Sequence, residues 1–218
     1  MTTTGALTTH ERAILRGGVP GCETVGQIIA IAATAEAFAV TALGGALANA
    51  ATGALPLTGK HIQALTAARA EEQAHYAYLT GAGARPLTTT FTNPDPKIVT
   101  DVPTFLTTLV MLEEVFIAAC LVAAQEFAVL GQARLAQLAL QIGAVEAEHR
   151  AGVRFFAIEL GVLAGTPNDV AFEKALFSTV GEAAAALKSL GVLGGRGTRI
   201  SYPGPGAIDT LGVAYLQP

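Results

Sequence analysis

The chain has 218 residues, enough for one domain with a filled core, and its 13 basic and 17 acidic side chains leave a net charge of -4. No basic stripe is present, which argues against nucleic acid as a partner. Apolar residues make up 51% and charged residues only 14%, well below the roughly 25% of ordinary soluble domains, so the surface is either weakly charged or covered in part by an oligomer or a membrane.

Residues 1–23 read as an N-terminal arm. Thr8, Thr9, His10 and Glu11 form a capping-box pattern ahead of a short helix that ends at Gly17 and Gly18. No apolar segment follows a basic start in the first 20 residues, so no secretory signal is expected and the compartment stays open. Cys22 and Cys120 lie far apart and outside any zinc spacing. Cys120 reads as a small core residue, and a disulfide between the two stays open.

A first long helix is predicted from about Thr24 to Ala51, followed by the breaker run Thr52 to Gly59. Thr58 caps a second helix reaching about Leu79, and Gly81 and Gly83 stop it. The stretch from Gly81 to Pro103 carries Pro86, Pro94, Pro96 and Pro103 and has no helical period. Connections this long need a reason, and crossing the full length of a helical bundle is one. Asp101 caps a third helix that reaches about Leu130, with Pro103 in its first turn. Gly131 and Gln132 turn the chain into a fourth helix ending near Gly165. A shorter helical region starts at Pro167 and breaks at Gly181, and an extended tail rich in Gly and Pro follows from Gly191. No strand is predicted. The run Gly191 to Gly197 lacks the Lys and Ser/Thr of a phosphate loop. The expected fold is all-α: a four-helix bundle over residues 24–165 with a long crossover between helices 2 and 3, short extra helices, and a tail over 166–218.

Acidic residues recur inside these apolar helices, where a plain core would hold none. Helix 1 has Glu36; helix 2 has Glu71 and Glu72; helix 3 has Glu113 and Glu114; helix 4 has Glu146 and Glu148. Glu72 and His75, and again Glu146 and His149, form Glu-x-x-His pairs, which share one helix face and can hold one cation together. The two hairpins are in phase. Glu36 lies 17 residues before Gly53 and Glu72 lies 14 after Thr58, while Glu113 and Glu146 lie 18 before and 15 after Gly131. At ~1.5 Å per residue the paired arms match closely enough to bring the acids to one level. Four unpaired carboxylates in an apolar interior are prohibitive, and two divalent cations neutralise them. Carboxylate plus neutral imidazole suits iron or manganese, with zinc a third option. A membrane protein is the main competitor, because Val25–Ala51 and Phe105–Ala124 are long and apolar. Each carries an acid near its middle, at roughly 2.5–3.5 kcal/mol per charge, and neither has aromatic belts, so a membrane is not expected.

The phrases AEAFAV, ARAEEQAHYAYLTGAG, LEEVFIAACL and AVEAEHRAGVRFF resemble the ferritin-like superfamily. Within it, the segment from about Thr24 to Leu163 is most similar to desiccation-related, stress-associated ferritin-like domain proteins. The resemblance implies two metal ions. Glu36 and Glu113 would be terminal ligands, Glu72 and Glu146 would bridge, and His75 and His149 would each complete one ion's shell. It further implies an oxidase or peroxide-consuming stress protein acting on dioxygen or hydrogen peroxide, with a homo-oligomer open. The alternative is a stress-associated structural or binding protein of the same fold without catalytic metal. Two departures count against storage ferritins: the tyrosine that often follows the first glutamate is missing, and the tail does not resemble a short fifth helix. Glu71, Glu114 and Glu148 are expected beside the site or facing solvent, with a Glu113–Glu114 register swap the main risk. Glu126 and Glu159 are expected in solvent, and His10, His61, Tyr76 and Tyr78 in structural roles.

Overall fold

The computed structural model describes residues 23–210 and 212–218. The predicted short helix before Gly17, His10 and Cys22 lie outside the described residues. The described residues form five α-helices: α1 (Val25–Ala51), α2 (Gly59–Gly81), α3 (Val102–Val129), α4 (Ala133–Glu159) and α5 (Val180–Ser189). A two-stranded ribbon joins β1 (Thr90–Asn93) to β2 (Thr198–Ser201).

α1, α2, α3 and α5 start where a polar side chain takes up orphan backbone donors, while α4 starts without a side-chain cap. The Thr24 hydroxyl accepts from Gln27 N at 3.3 Å, while Gln27 Oε1 accepts from Thr24 N at 2.9 Å. At α2, Thr58 N donates to His61 Nδ1 at 3.2 Å, and His61 is buried in the structural role expected of it. Asp101 Oδ2 accepts from Thr104 N at 3.0 Å and opens α3, with Pro103 in the first turn. Gly131, at φ +72°, makes the tight turn between α3 and α4.

The short links after α1 and after α3 make two antiparallel hairpins. The crossover from α2 to α3 climbs along the outside of α1. Leu87 N donates to Thr34 Oγ1 at 2.8 Å, Phe91 meets Phe38 edge-on with centroids 5.5 Å apart, and Asn49 Nδ2 donates to the Val99 carbonyl at 2.8 Å. Its partners on α1 thus rise from position 34 to position 49. Consequently α3 starts at the end of the bundle where α2 starts, and runs parallel to it. Leu43, Leu55, Leu65, Phe105, Leu106 and Val153 fill that end; Ile28, Val122, Phe127, Ala139 and Val180 fill the other. By length and composition α1 and α3 would reach across a membrane, but 61% and 50% of their most apolar windows are buried against neighbours.

Four sequence expectations change. The ribbon of β1 and β2 was not foreseen, because strands of four residues are too short to show an alternation. α4 ends at Glu159, not near Gly165, with Gly161 at φ +71° just beyond it. No helix starts at Pro167. Residues 166–178 are irregular and are pinned to the bundle by Arg150–Glu173, by Arg154–Asp169 at 2.6 Å and by Lys174–Glu114 at 3.0 Å. Gly181 does not break a helix; it lies in the first turn of α5, where a Cβ would collide with the Glu23 carboxylate.

Glycine also sets how closely α3 and α4 approach. A Cβ on Gly143 would sit 2.9 Å from the Cβ of Cys120. Gly152, on the same helix, has no atom within 4 Å of its would-be Cβ. Gly143→Ala should therefore destabilise by ~1–3 kcal/mol through overpacking. Gly152→Ala should stabilise by up to ~1 kcal/mol through helix propensity. Urea unfolding of both variants checks the opposite signs.

Candidate metal centre

Glu36 on α1, Glu72 and His75 on α2, Glu113 on α3, and Glu146 and His149 on α4 all point into the middle of the bundle. The four carboxylates and His149 are buried, and the His75 side chain is only 15% exposed. Their ligand atoms form two overlapping sets, each with all atoms within 4.8 Å of one another: Glu36, Glu72, His75 and Glu146; and Glu72, Glu113, Glu146 and His149. Each set contains one histidine and one private glutamate, while Glu72 and Glu146 belong to both. Helix phase produces this symmetry, since the two Glu-x-x-His helices face each other across an approximate two-fold relation.

The distances are short. His75 Nδ1 lies 3.4 Å from Glu36 Oε2 and 3.7 Å from Glu146 Oε1; His149 Nδ1 lies 3.2 Å from Glu72 Oε1 and 3.4 Å from Glu146 Oε2. Burial, and next the charge of Glu72, push the Glu36 carboxyl well above the usual range. Burial and Glu146 do the same to Glu113. Glu72 goes the other way: burial opposes its ionisation, but the imidazoles of His149 and His75 outweigh it and hold its carboxyl low. Burial opposes protonation of both imidazoles as well, yet the surrounding carboxylates raise His75 and His149 well above ordinary histidine.

The donor set fits two cations. Glu72 Oε2, Glu113 Oε2, Glu146 Oε2, His75 Nδ1 and His149 Nδ1 are buried without a hydrogen-bond partner, and all face the same small volume. Orphans of this kind are rare unless an ion completes them. The outer nitrogen of His149 is already set: Nε2 donates to Glu71 Oε2 at 2.7 Å, which leaves Nδ1 facing inward as the ligand atom once its proton is released. Glu71 is thus the neighbour of the site that the sequence suggested. Glu114 pairs with Lys174 on the outside, so the register places Glu113 inside. Glu148 is exposed.

Glu126 was expected in solvent and is instead buried, accepting from Val180 N at 3.0 Å and from Glu23 N at 3.1 Å. The signal that could have exposed it was its place in an otherwise apolar stretch of α3. Glu159 is half-exposed and faces Lys60 and His61 Nε2, the latter at 3.3 Å. Tyr76 packs on Tyr202 with ring centroids 4.6 Å apart, and the Tyr202 hydroxyl donates to Gln73 Oε1 at 2.6 Å. Neither the Tyr202 contact nor the buried Arg150–Glu173 pair was legible in the sequence, because their partners lie far along the chain.

Two in-phase helical hairpins, a long crossover and an interior ring of glutamates and histidines define a helical-bundle protein with a buried carboxylate–histidine cluster of the kind that could hold a metal ion. The ferritin-like domain family matches residues 24–159, more than half the chain, and the chain belongs to that family. No curated protein and no solved structure matches it.

Proposed function

We propose that the chain holds two iron or manganese ions and uses them in oxidase or peroxide-consuming chemistry. The observation that carries this reading is the pair of overlapping ligand sets that share Glu72 and Glu146. Glu36 and His75 would hold one ion, Glu113 and His149 the other, and Glu72 and Glu146 both. Two such ions supply adjacent redox centres for dioxygen or hydrogen peroxide; zinc fits the donors but would leave the site structural.

The chain's own residues set the conditions. Glu71 keeps the His149 ring oriented and its outer proton in place. The apolar walls exclude bulk water and strengthen every charge interaction inside. A cavity of about 560 Å³ between α2, α4 and residues 213–218, walled in part by Glu71, His75 and Glu148, offers cations a polar approach to His75. The likeness to desiccation-related proteins supports a stress role. Exposed Leu140, Phe155 and Phe172 suit a homo-oligomer.

Anaerobic titration with ferrous or manganous ion, followed by elemental analysis, should give two ions per chain, and the loaded protein should consume dioxygen or peroxide. Absence of bound metal would favour the structural or binding alternative. Loading should also release protons at neutral pH, since Glu36, Glu113 and both histidines hold protons more tightly than usual without metal. Affinity should then weaken as pH falls. An indicator-dye titration in weak buffer showing no proton release would contradict that electrostatic picture.

A further inference from the structure

Beneath the carboxylate cluster, towards the α5 end of the bundle, the core is not filled. A cavity of about 60 Å³ lies there, with Ala32 of α1, Ala119 and Ala123 of α3, Leu138 of α4 and Ala183 of α5 among its walls. Its other walls are mostly isoleucine, leucine, valine and phenylalanine, and the alanines leave a gap between the hairpins that these larger side chains do not fill. Val180 and Leu187 of α5 help close it. Glu36 and Glu146 of the centre are also among its walls, one from each hairpin. The nearby Cys120 thiol is uncharged, pushed well up by burial and then by Glu146 and Glu36.

We propose that this cavity is a dioxygen chamber, which delivers the nonpolar oxidant to the site by a path that hydrogen peroxide does not share. The inference rests on the two-metal reading above. A buried water needs two to four polar partners, and a cavity with apolar walls stays dry and takes nonpolar guests such as xenon. Of its two acids, Glu36 lies against His75 at 3.4 Å, and Glu146 lies against His149 at 3.4 Å and His75 at 3.7 Å, so both are turned to the centre and offer little to a guest. Dioxygen needs no hydrogen bonds and gains by leaving water. Hydrogen peroxide would give up its hydration here without replacement. The polar cavity at His75 is separate and lies on the α2–α4 face, so ions and peroxide have their own approach.

The test begins with metal-free protein under xenon pressure, read by diffraction. One xenon atom should lie between Ala32, Ala119 and Leu138, and Ala119→Leu should expel it. Ala32→Val, a smaller filling change, serves if the leucine variant does not fold. In ferrous-loaded protein, stopped-flow oxidation by dioxygen should slow by about tenfold or more in the filled variant, on the scale of a misplaced methylene in a fitted pocket, while oxidation by peroxide should not change. Iron binding without a xenon site would overturn this inference alone. So would equal slowing with both oxidants, or none with dioxygen. Failure to bind iron at all would overturn the functional reading and this inference with it.

Discussion

Glu72→Ala or Glu146→Ala should abolish binding of both ions, whereas Glu36→Ala should weaken mainly one. The geometry gives the reason. Glu72 and Glu146 belong to both ligand sets, and Glu36 only to the set that contains His75. Outer partners of metal ligands typically contribute 10–100-fold to affinity, so loss of a ligand shared by two ions should exceed about 100-fold. In Glu36→Ala the second set keeps Glu72, Glu113, Glu146 and His149, and one ion per chain should remain. Calorimetric titration with manganous ion and elemental analysis of all three variants measure both numbers. Equal losses across the three would remove the shared role of Glu72 and Glu146. Helical circular dichroism of the metal-free variants separates loss of ligands from loss of fold, because the end cores around Leu65 and Phe127 do not depend on the centre.

Glu126→Ala should be among the most destabilising changes outside that centre. The carboxylate accepts from the backbone of Val180 and of Glu23, so its removal strands two N–H donors where α5 joins the bundle. At about 1–3 kcal/mol for each donor left unsatisfied, a loss of roughly 2–6 kcal/mol is expected, with the melting temperature falling by about 4–24 °C. The cost should depend on pH. Burial, and then a hydrogen bond shared with Glu23, raise the Glu126 carboxyl to about 7 in the folded protein. The folded state therefore binds a proton more tightly than the unfolded chain, where the carboxyl titrates near 4.5. Native stability from this group is greatest below about pH 4.5, declines as pH rises to about 7 and is level above that, by on the order of 3 kcal/mol in all. Glu126→Ala should lose this slope, so the gap between wild type and variant should narrow from pH 5 to pH 8. A parallel pair of denaturation profiles would contradict the assignment.

Much of the frame was legible in the residues. Thr24, Thr58 and Asp101 mark helix starts because each is a side-chain acceptor placed before an apolar run. Matched spacings about Gly53 and Gly131 put four glutamates at one height, since helical rise is fixed. The Glu-x-x-His pairs mark one face each, for the same reason. These are local or periodic facts, and a chain carries them in its own order.

Tertiary structure decided the rest. Whether Glu113 or Glu114 turns inward depends on the rotation of α3, which is settled when Phe105, Leu106 and Phe127 find their partners and Lys174 meets Glu114. That Glu126 is an anchor and not a solvated acid follows only from where α5 docks, 54 residues later in the chain. β1 and β2 exist because the crossover along α1 leaves backbone donors for a distant segment to pair with. The apolar cavity below the centre is likewise no property of any one helix. Caps, helical period and spacing settle which residues could gather at mid-bundle. Only packing determined helix rotation, long-range partners and the spaces left unfilled, because those depend on side chains far apart in the chain meeting in three dimensions.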